Sequence, residues 1–241
     1  MSGQTASRYL LVAVFALALP AWGARPPHKP AAPSRGAPEP QNPGDYFIAV
    51  SYAMDGEEYD IAEKIAREGA AKYPAAVGFH VLIGDVLMAK RKVAEAFYEY
   101  EWELLRVGPD KPTGADAQDL IAQIMQSARG TDTDDLRVVI DAVKTQQTDP
   151  KKSVETLRRR MERANPPFVL RLLYAEALDA AGEPGEAAAI YRDLLKADPY
   201  FVPAYVELAA IVRKGGKAKD ADALIDKAKQ IDPDHWRLRS P

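Results

Sequence analysis

Apolar residues recur at helical spacing from Asp45 to near the C-terminus, and segments that alternate apolar and polar residues, as strands do, are absent. A representative stripe takes positions i, i+3, i+4 and i+7. Its members are Leu136, Val139, Ile140 and Val143. Asp149 and Pro150 then supply a cap followed by a proline at the first helical position. Because such short amphipathic helices are unstable alone, the pattern predicts stacked helix pairs.

The C-terminal part repeats itself with a period of 34 residues. Its first copy shows small, aromatic and Asp-Pro positions at Tyr174, Ala175, Leu178, Gly182, Ala187, Tyr191 and Asp198-Pro199. The second copy has Leu208, Ala209, Val212, Gly216, Ala221, Ile225 and Asp232-Pro233. A weaker pair with the same period lies upstream, where Val50, Ala62 and Ala66 correspond to Gly84, Ala96 and Tyr100. The period therefore indicates four helix-turn-helix units, in two groups.

These units resemble the tetratricopeptide repeat, which has small residues at unit positions 8 and 20, a glycine near 15, an aromatic at 24 and a proline at 32. The matching units are residues 43–76, 77–110, 168–201 and 202–235. Unit one departs from the pattern with Glu57 at the turn position. The resemblance implies an all-α, right-handed solenoid of antiparallel helix pairs, with N-terminal repeats over 45–110 and C-terminal repeats over 168–235.

Residues 111–167 do not follow this register, since Ala96 and Ala187 lie 91 residues apart, which is not a multiple of 34. We expect three helices here, near 115–129, 133–146 and 150–164. They form either one degenerate unit with an extra helix or an insertion that changes the direction of the solenoid. The solenoid is therefore expected to be irregular in its middle.

The N-terminus has the layout of a secretory signal peptide over residues 1–23. Arg8 precedes an apolar run, which is followed by Pro20 and the small-residue site Ala21-Trp22-Gly23. The run is shorter than the roughly 20 apolar residues of a spanning helix. We expect cleavage after Gly23, a periplasmic or secreted protein and no stable membrane span afterwards; an uncleaved anchor is the alternative.

Residues 24–44 hold seven of the 19 prolines and few large apolar residues, which predicts a disordered tether. Residues 236–241 form a tail after the last repeat. The chain has no cysteine, so disulfides, thiolate metal ligands and lipid attachment through an N-terminal cysteine are excluded.

Charge and chemistry-bearing residues give little support to catalysis, metal binding or nucleic-acid binding. The 32 basic and 35 acidic residues nearly balance, with a net charge of −3, and the three histidines are scattered. The acidic cluster at 130–135 lacks the glycine and the glutamate of a calcium loop, because Arg137 and Val143 stand there. We read the cluster as a helix cap. Arg158, Arg159, Arg160 and Arg163 would fan out around a helix rather than line one groove. No cofactor and no enzyme motif is predicted.

Two aromatic residues, Tyr98 and Trp102, are four residues apart on a face that differs from the predicted core positions Phe97 and Tyr100. They either pack on the irregular middle helices or stand exposed as a hot spot for a partner. Both alternatives remain open from the sequence.

The resemblance also implies a partner surface, the concave face lined by unit positions 2, 5, 9, 12 and 13. In the N-terminal arm these positions include Phe47, Ser51, Met54, Asp85 and Met88. In the C-terminal arm they include Leu172, Glu176, Asp179, Arg213 and Lys214, with the charged side chains expected to be exposed. Position 5 is apolar in all four units, so a clamp for a peptide carboxylate is not expected.

The sequence therefore predicts an exported scaffold or adaptor of the cell envelope that binds a protein or peptide through this concave face. The alternative is a regulatory or targeting subunit of an envelope enzyme complex.

Overall fold

The computed structural model describes residues 40–127, 131–162 and 165–239, with the side chains of 127–135 left out. This part of the chain has twelve helices and no strand. They are α1 (Pro43–Asp55), α2 (Tyr59–Lys72), α3 (Phe79–Ala89), α4 (Val93–Val107), α5 (Pro112–Ser127), α6 (Thr131–Thr145), α7 (Pro150–Met161), α8 (Phe168–Ala180), α9 (Pro184–Ala197), α10 (Val202–Lys214), α11 (Ala218–Ile231) and α12 (Trp236–Arg239). The predicted signal peptide lies outside the described residues. The predicted cap at 130–135 depends on side chains that are likewise not described. Among the described helices, none combines the length and the apolar character that a membrane span requires.

Local sequence signals set several helix starts. Asn42 caps α1 through a reciprocal capping box with Asp45, and Pro43 follows at the first turn. Helix α1 therefore begins at Pro43, which lies within the predicted tether of residues 24–44. Asp149 caps α7 by accepting a hydrogen bond from the Lys152 amide at 3.1 Å, as the sequence predicts.

Four pairs of sequence-adjacent helices form the repeats: α1 with α2, α3 with α4, α8 with α9 and α10 with α11. Their small residues Ala62, Ala96, Ala187 and Ala221 have no exposed surface, so these positions bring the paired helices close together. The prediction of an all-α helical-repeat array is confirmed.

The turn between the helices of each pair needs a residue with positive φ. Gly182 and Gly216 adopt φ of 85° and 80° at this position. Glu57 and Arg91 take the same unit position in the N-terminal arm with φ of 58° and 61°. The glycine missing from the N-terminal units therefore marks strain rather than a different turn.

The three middle helices do not continue the array in a line. Helix α5 packs on α4, whereas α6 packs on α7 and on α4, and α7 packs on α8. This path brings the C-terminal arm back to the N-terminal arm, because α4 contacts both α8 and α10. One hydrophobic core consequently runs from Val50 in α1 to Leu208 in α10. The predicted irregular middle thus folds one arm against the other.

Candidate binding surfaces

The inner face of the N-terminal arm, defined by Phe47, Ser51, Met54, Asp85 and Met88, lies on α1 and α3. Phe47 is half-buried, with its ring 4.9 Å from that of Phe79, and Met54 packs partly on the core. Met88 is 37 % exposed, and Ser51 and Asp85 are also exposed. This face therefore offers the exposed apolar side chain of Met88 beside the carboxylate of Asp85. The apolar residues Phe47 and Met54 of the same face are partly buried.

Asp85 is held in place from α4. Its carboxylate accepts a hydrogen bond from the Tyr100 hydroxyl at 2.9 Å. Burial and the neighbouring carboxylate raise the pKa of Tyr100, so the phenol remains a donor at neutral pH. The carboxylate is thus oriented at an exposed position of α3.

The inner face of the C-terminal arm is covered by the chain itself. The prediction that Glu176 is an exposed charge is wrong, because the residue is 2 % exposed, and Leu172 on the same face is fully buried. Helix α4 lies against α8 and α10, and α12 closes the remaining side. The long-range return of the chain therefore fills the groove that the repeat pattern alone would leave open.

Glu176 lies at a cavity of about 60 Å³, enough for roughly two water molecules. Glu101 of α4, Leu172 and Arg237 of α12 also line this cavity. Burial raises the pKa of Glu176 to about 7, with smaller contributions from Glu207 and Glu101, while Arg237 opposes the shift. Burial likewise raises the pKa of half-buried Glu101 to about 7. These two carboxyls and Arg237 therefore lie at a small cavity whose remaining lining is mostly apolar.

Arg237 is the cation at this cavity, and the sequence analysis did not identify it. Its guanidinium donates to Glu207 at 2.7 Å and to Glu176 at 3.4 Å, and it stacks 4.7 Å from the centre of the Trp236 ring. Only 3 % of Arg237 is exposed. Apolar residues beyond the last repeat, Trp236 and Leu238, were the available signal that the predicted tail docks.

The docking of α12 is anchored at the end of α4. The buried His235 ring contacts the Arg106 carbonyl at 3.0 Å, and burial lowers the pKa of His235 to about 4, so the neutral ring donates this hydrogen bond. Trp236 packs so closely on Gly108 that a Cβ there would lie 2.4 Å from the indole. Residues Trp236–Arg239 of the predicted tail therefore pack on the folded array.

Three other predicted residues of the C-terminal arm lie at its rim. Lys214 pairs with half-buried Asp179 at 3.1 Å, which links α8 to α10. Arg213 pairs with Asp222 at 2.5 Å, and both are exposed. Each charge already has a neighbour of opposite sign, so this rim presents balanced charge.

The aromatic pair on α4 is packed rather than free for a partner. Trp102 is stacked between His80 and Phe168, at 3.9 Å from each ring, and its indole N–H donates to Asp198 at 3.2 Å. Tyr98 is 8 % exposed. Of the two alternatives that the sequence leaves open, both residues take the packed one, and the ring contacts of Trp102 join α3 to the C-terminal arm.

The comparison with family models agrees with this architecture in the C-terminal arm. The tetratricopeptide repeat family model matches residues 178–240, which run from the end of α8 through α12. No curated protein sequence matches the chain. Among solved structures, the chain is similar to the crystal structure of YrrB, described as a TPR protein with an unusual peptide-binding site. The identity is 16 %, the alignment covers 80 % of this chain and 88 % of that one, and the TM-score is 0.40. Residues 178–240 thus match the tetratricopeptide repeat family, as the sequence predicts for the C-terminal arm.

Proposed function

We propose that this protein is an exported scaffold of the cell envelope that binds a protein or peptide on the inner face of its N-terminal arm. Tetratricopeptide arrays are built for protein interaction, and the match at 178–240 supports this class of function. The observation that directs the proposal to the N-terminal arm is the exposure of Asp85 and Met88, whereas Glu176 at the corresponding C-terminal face is buried.

The chemistry of this face suits an apolar segment that also carries a hydrogen-bond donor. Met88 has a flexible, polarizable side chain that adapts to differently shaped apolar groups. Asp85 is oriented by Tyr100 and can accept a hydrogen bond from a backbone amide or a basic side chain of the partner. No catalytic role is part of this proposal.

Site-specific photo-crosslinking in the source cells tests the binding face. A photoreactive residue at Met88 should give a discrete adduct with one protein, and the Asp85→Lys change should weaken that adduct. The control is the same residue at Lys152, an exposed position of α7 on another part of the molecule. Equal labelling at Met88 and Lys152, or no adduct at Met88, would contradict the proposed face.

Export is tested separately. Because Arg8, the apolar run and Ala21-Trp22-Gly23 have the layout of a cleaved signal, sequencing of the mature protein from the envelope fraction should begin at or near Ala24. Intact Met1 in the cytoplasmic fraction would refute export.

A further inference from the structure

A second open surface lies on the other side of the C-terminal arm. It is a groove of about 580 Å³ between α9 and α11, with α10 as its floor, and we name it the α9–α11 groove. Its apolar part is formed by Leu195, Leu208, Val212, Ala223 and Leu224. The charged residues around it are Arg192, Lys196, Lys217, Lys227 and Asp220. Four cations and one carboxylate thus surround an apolar floor, in a chain whose net charge is −3; one of these cations, Lys196, also pairs with Asp193 at 2.8 Å.

The corresponding surface of the N-terminal arm, between α2 and α4, is closed by the chain's own side chains. Glu99 joins the three helices there, because it pairs with Arg67 of α2 at 3.2 Å and with His80 of α3 at 2.8 Å. Trp102 adds its ring to the same surface and is covered by Phe168 of α8. In this arm Glu99 pairs with the basic side chains, and aromatic rings cover the apolar residues.

The C-terminal arm keeps the cation, and the ring of Tyr205 of α10 also lines the groove, but α11 lacks the acid and the rings that α4 carries. Arg192 has the unit position of Arg67, whereas Leu224 stands where Glu99 would be, 125 residues earlier in the chain. Ala223 likewise takes the position of Tyr98, and Lys227 that of Trp102. These replacements remove bulk and a carboxylate from the middle of the surface, so the groove is open and positively charged.

We propose that the α9–α11 groove docks an acidic segment of a partner protein that carries an aromatic or large apolar side chain. The N-terminal arm supports this choice, since its matching surface is covered by the ring of Phe168 and its Trp102 donates to the carboxylate of Asp198. The partner segment supplies a carboxylate and an aromatic or large apolar side chain, which Leu224 and Ala223 do not provide. The proposal rests on the scaffold function, but it uses a surface distinct from Asp85 and Met88.

The test measures fluorescence anisotropy of a labelled peptide with Glu and Asp around Phe and Leu, using the mature full-length protein. The same peptide with Lys at every acidic position serves as the opposite-charge probe. We expect the acidic peptide to bind, with an affinity that falls as salt is raised, and the lysine peptide not to bind. Arg192→Glu combined with Lys227→Glu should weaken binding at least about tenfold.

Two further variants separate the groove from general charge. Lys219→Glu combined with Lys229→Glu makes the same charge change at exposed positions of α11 outside the groove, and should leave the affinity nearly unchanged. Ala223→Tyr should fill the groove with the residue type that Tyr98 has at the same unit position, and so abolish binding without any charge change. Ala223 is exposed, so the thermal melt of this variant should stay close to that of the wild type.

Several results would overturn the proposal. They are equal loss in both charge-reversal pairs, unchanged binding by Ala223→Tyr, failure of the wild type to bind the acidic peptide, and equal binding of the lysine peptide. Competition by a single-stranded oligonucleotide as strong as by unlabelled peptide would instead indicate a general polyanion surface. Self-association of the wild type that Ala223→Tyr removes would identify a second copy as the occupant. A crosslink at Met88 that persists in the groove variants would leave the scaffold function standing while the groove proposal falls.

Discussion

Replacement of Arg237 by methionine removes the cation from the buried spot between the two arms. Arg237→Met keeps most of the apolar stem but leaves Glu176, which is 2 % exposed, without its partner at 3.4 Å. Breaking a buried pair by removing one member typically costs about 3 to 5 kcal/mol, because the other charge stays buried. We expect a loss of that size in the free energy of unfolding at pH 8.

The loss should depend on pH in a defined direction. Burial raises the folded-state pKa of Glu176 from 4.5 to about 7, and loss of Arg237 raises it further. A carboxyl whose folded pKa is raised stabilises the fold fully below its unfolded pKa and loses that contribution as the pH rises through the folded value. For the wild type this amounts to roughly 3 kcal/mol between pH 4.5 and pH 8. Arg237→Met should therefore be much less destabilising at pH 5 than at pH 8.

Urea unfolding followed by circular dichroism at both pH values measures these free energies. The control is Arg237→Met combined with Glu176→Leu, which removes the more deeply buried pair and leaves Glu207, whose side chain is 17 % exposed, and should recover part of the stability at pH 8. An equal loss at pH 5 and pH 8, or no recovery in the double variant, would refute the reasoning. Such a result would mean that α12 detaches and water reaches Glu176.

Three further changes test the array. Ala187→Leu should overpack the contact between α8 and α9 and cost on the order of 1 to 3 kcal/mol, so an unchanged thermal melt would contradict the assigned register. Arg91→Gly should raise the melting temperature through a gain of about 0.5 to 1 kcal/mol, because its φ of 61° suits glycine, and a lower melting temperature would show that the Arg91 side chain matters more than its backbone. Trp102→Phe should retain the stack on Phe168 but lose the hydrogen bond to Asp198, at about 1 kcal/mol in urea unfolding. A Trp102→Phe loss that persists in full in an Asp198→Ala background would show that the bond is not its source.

The repeat fold could be predicted because its determinants are local. Small residues such as Ala96 and Ala187 indicate a close contact between two helices that are only a few residues apart in the chain. The same signal recurs at the repeat period. The turn position was also visible, since Gly182 and Gly216 supply the positive φ directly. Each of these signals depends on residues that are close in the sequence, so it can be recognised from one sequence alone.

The accessible surface could not be predicted in the same way. Whether Glu176 faces water depends on where the middle helices send the chain, and no residue near Glu176 encodes that path. The contact between Trp102 and Asp198 spans 96 residues, which no repeat period reports. The two corresponding faces therefore differ, since Met88 is 37 % exposed on the N-terminal arm, whereas Glu176 on the C-terminal arm is buried, against the prediction.

The central position of α4 distinguishes this fold from an ordinary solenoid. In an ordinary solenoid each helix packs on its nearest neighbours, so the whole concave side is open. Here α4 contacts α3, α5, α6, α8 and α10, and Glu176 and Leu172 on the inner face of the C-terminal arm are buried. The two surfaces that we propose for partners therefore lie away from these buried residues. The inner face around Met88 and the α9–α11 groove lie on arms that share one hydrophobic core, so a partner that used both would meet two surfaces at a fixed separation, and its second contact would be made at a raised effective concentration.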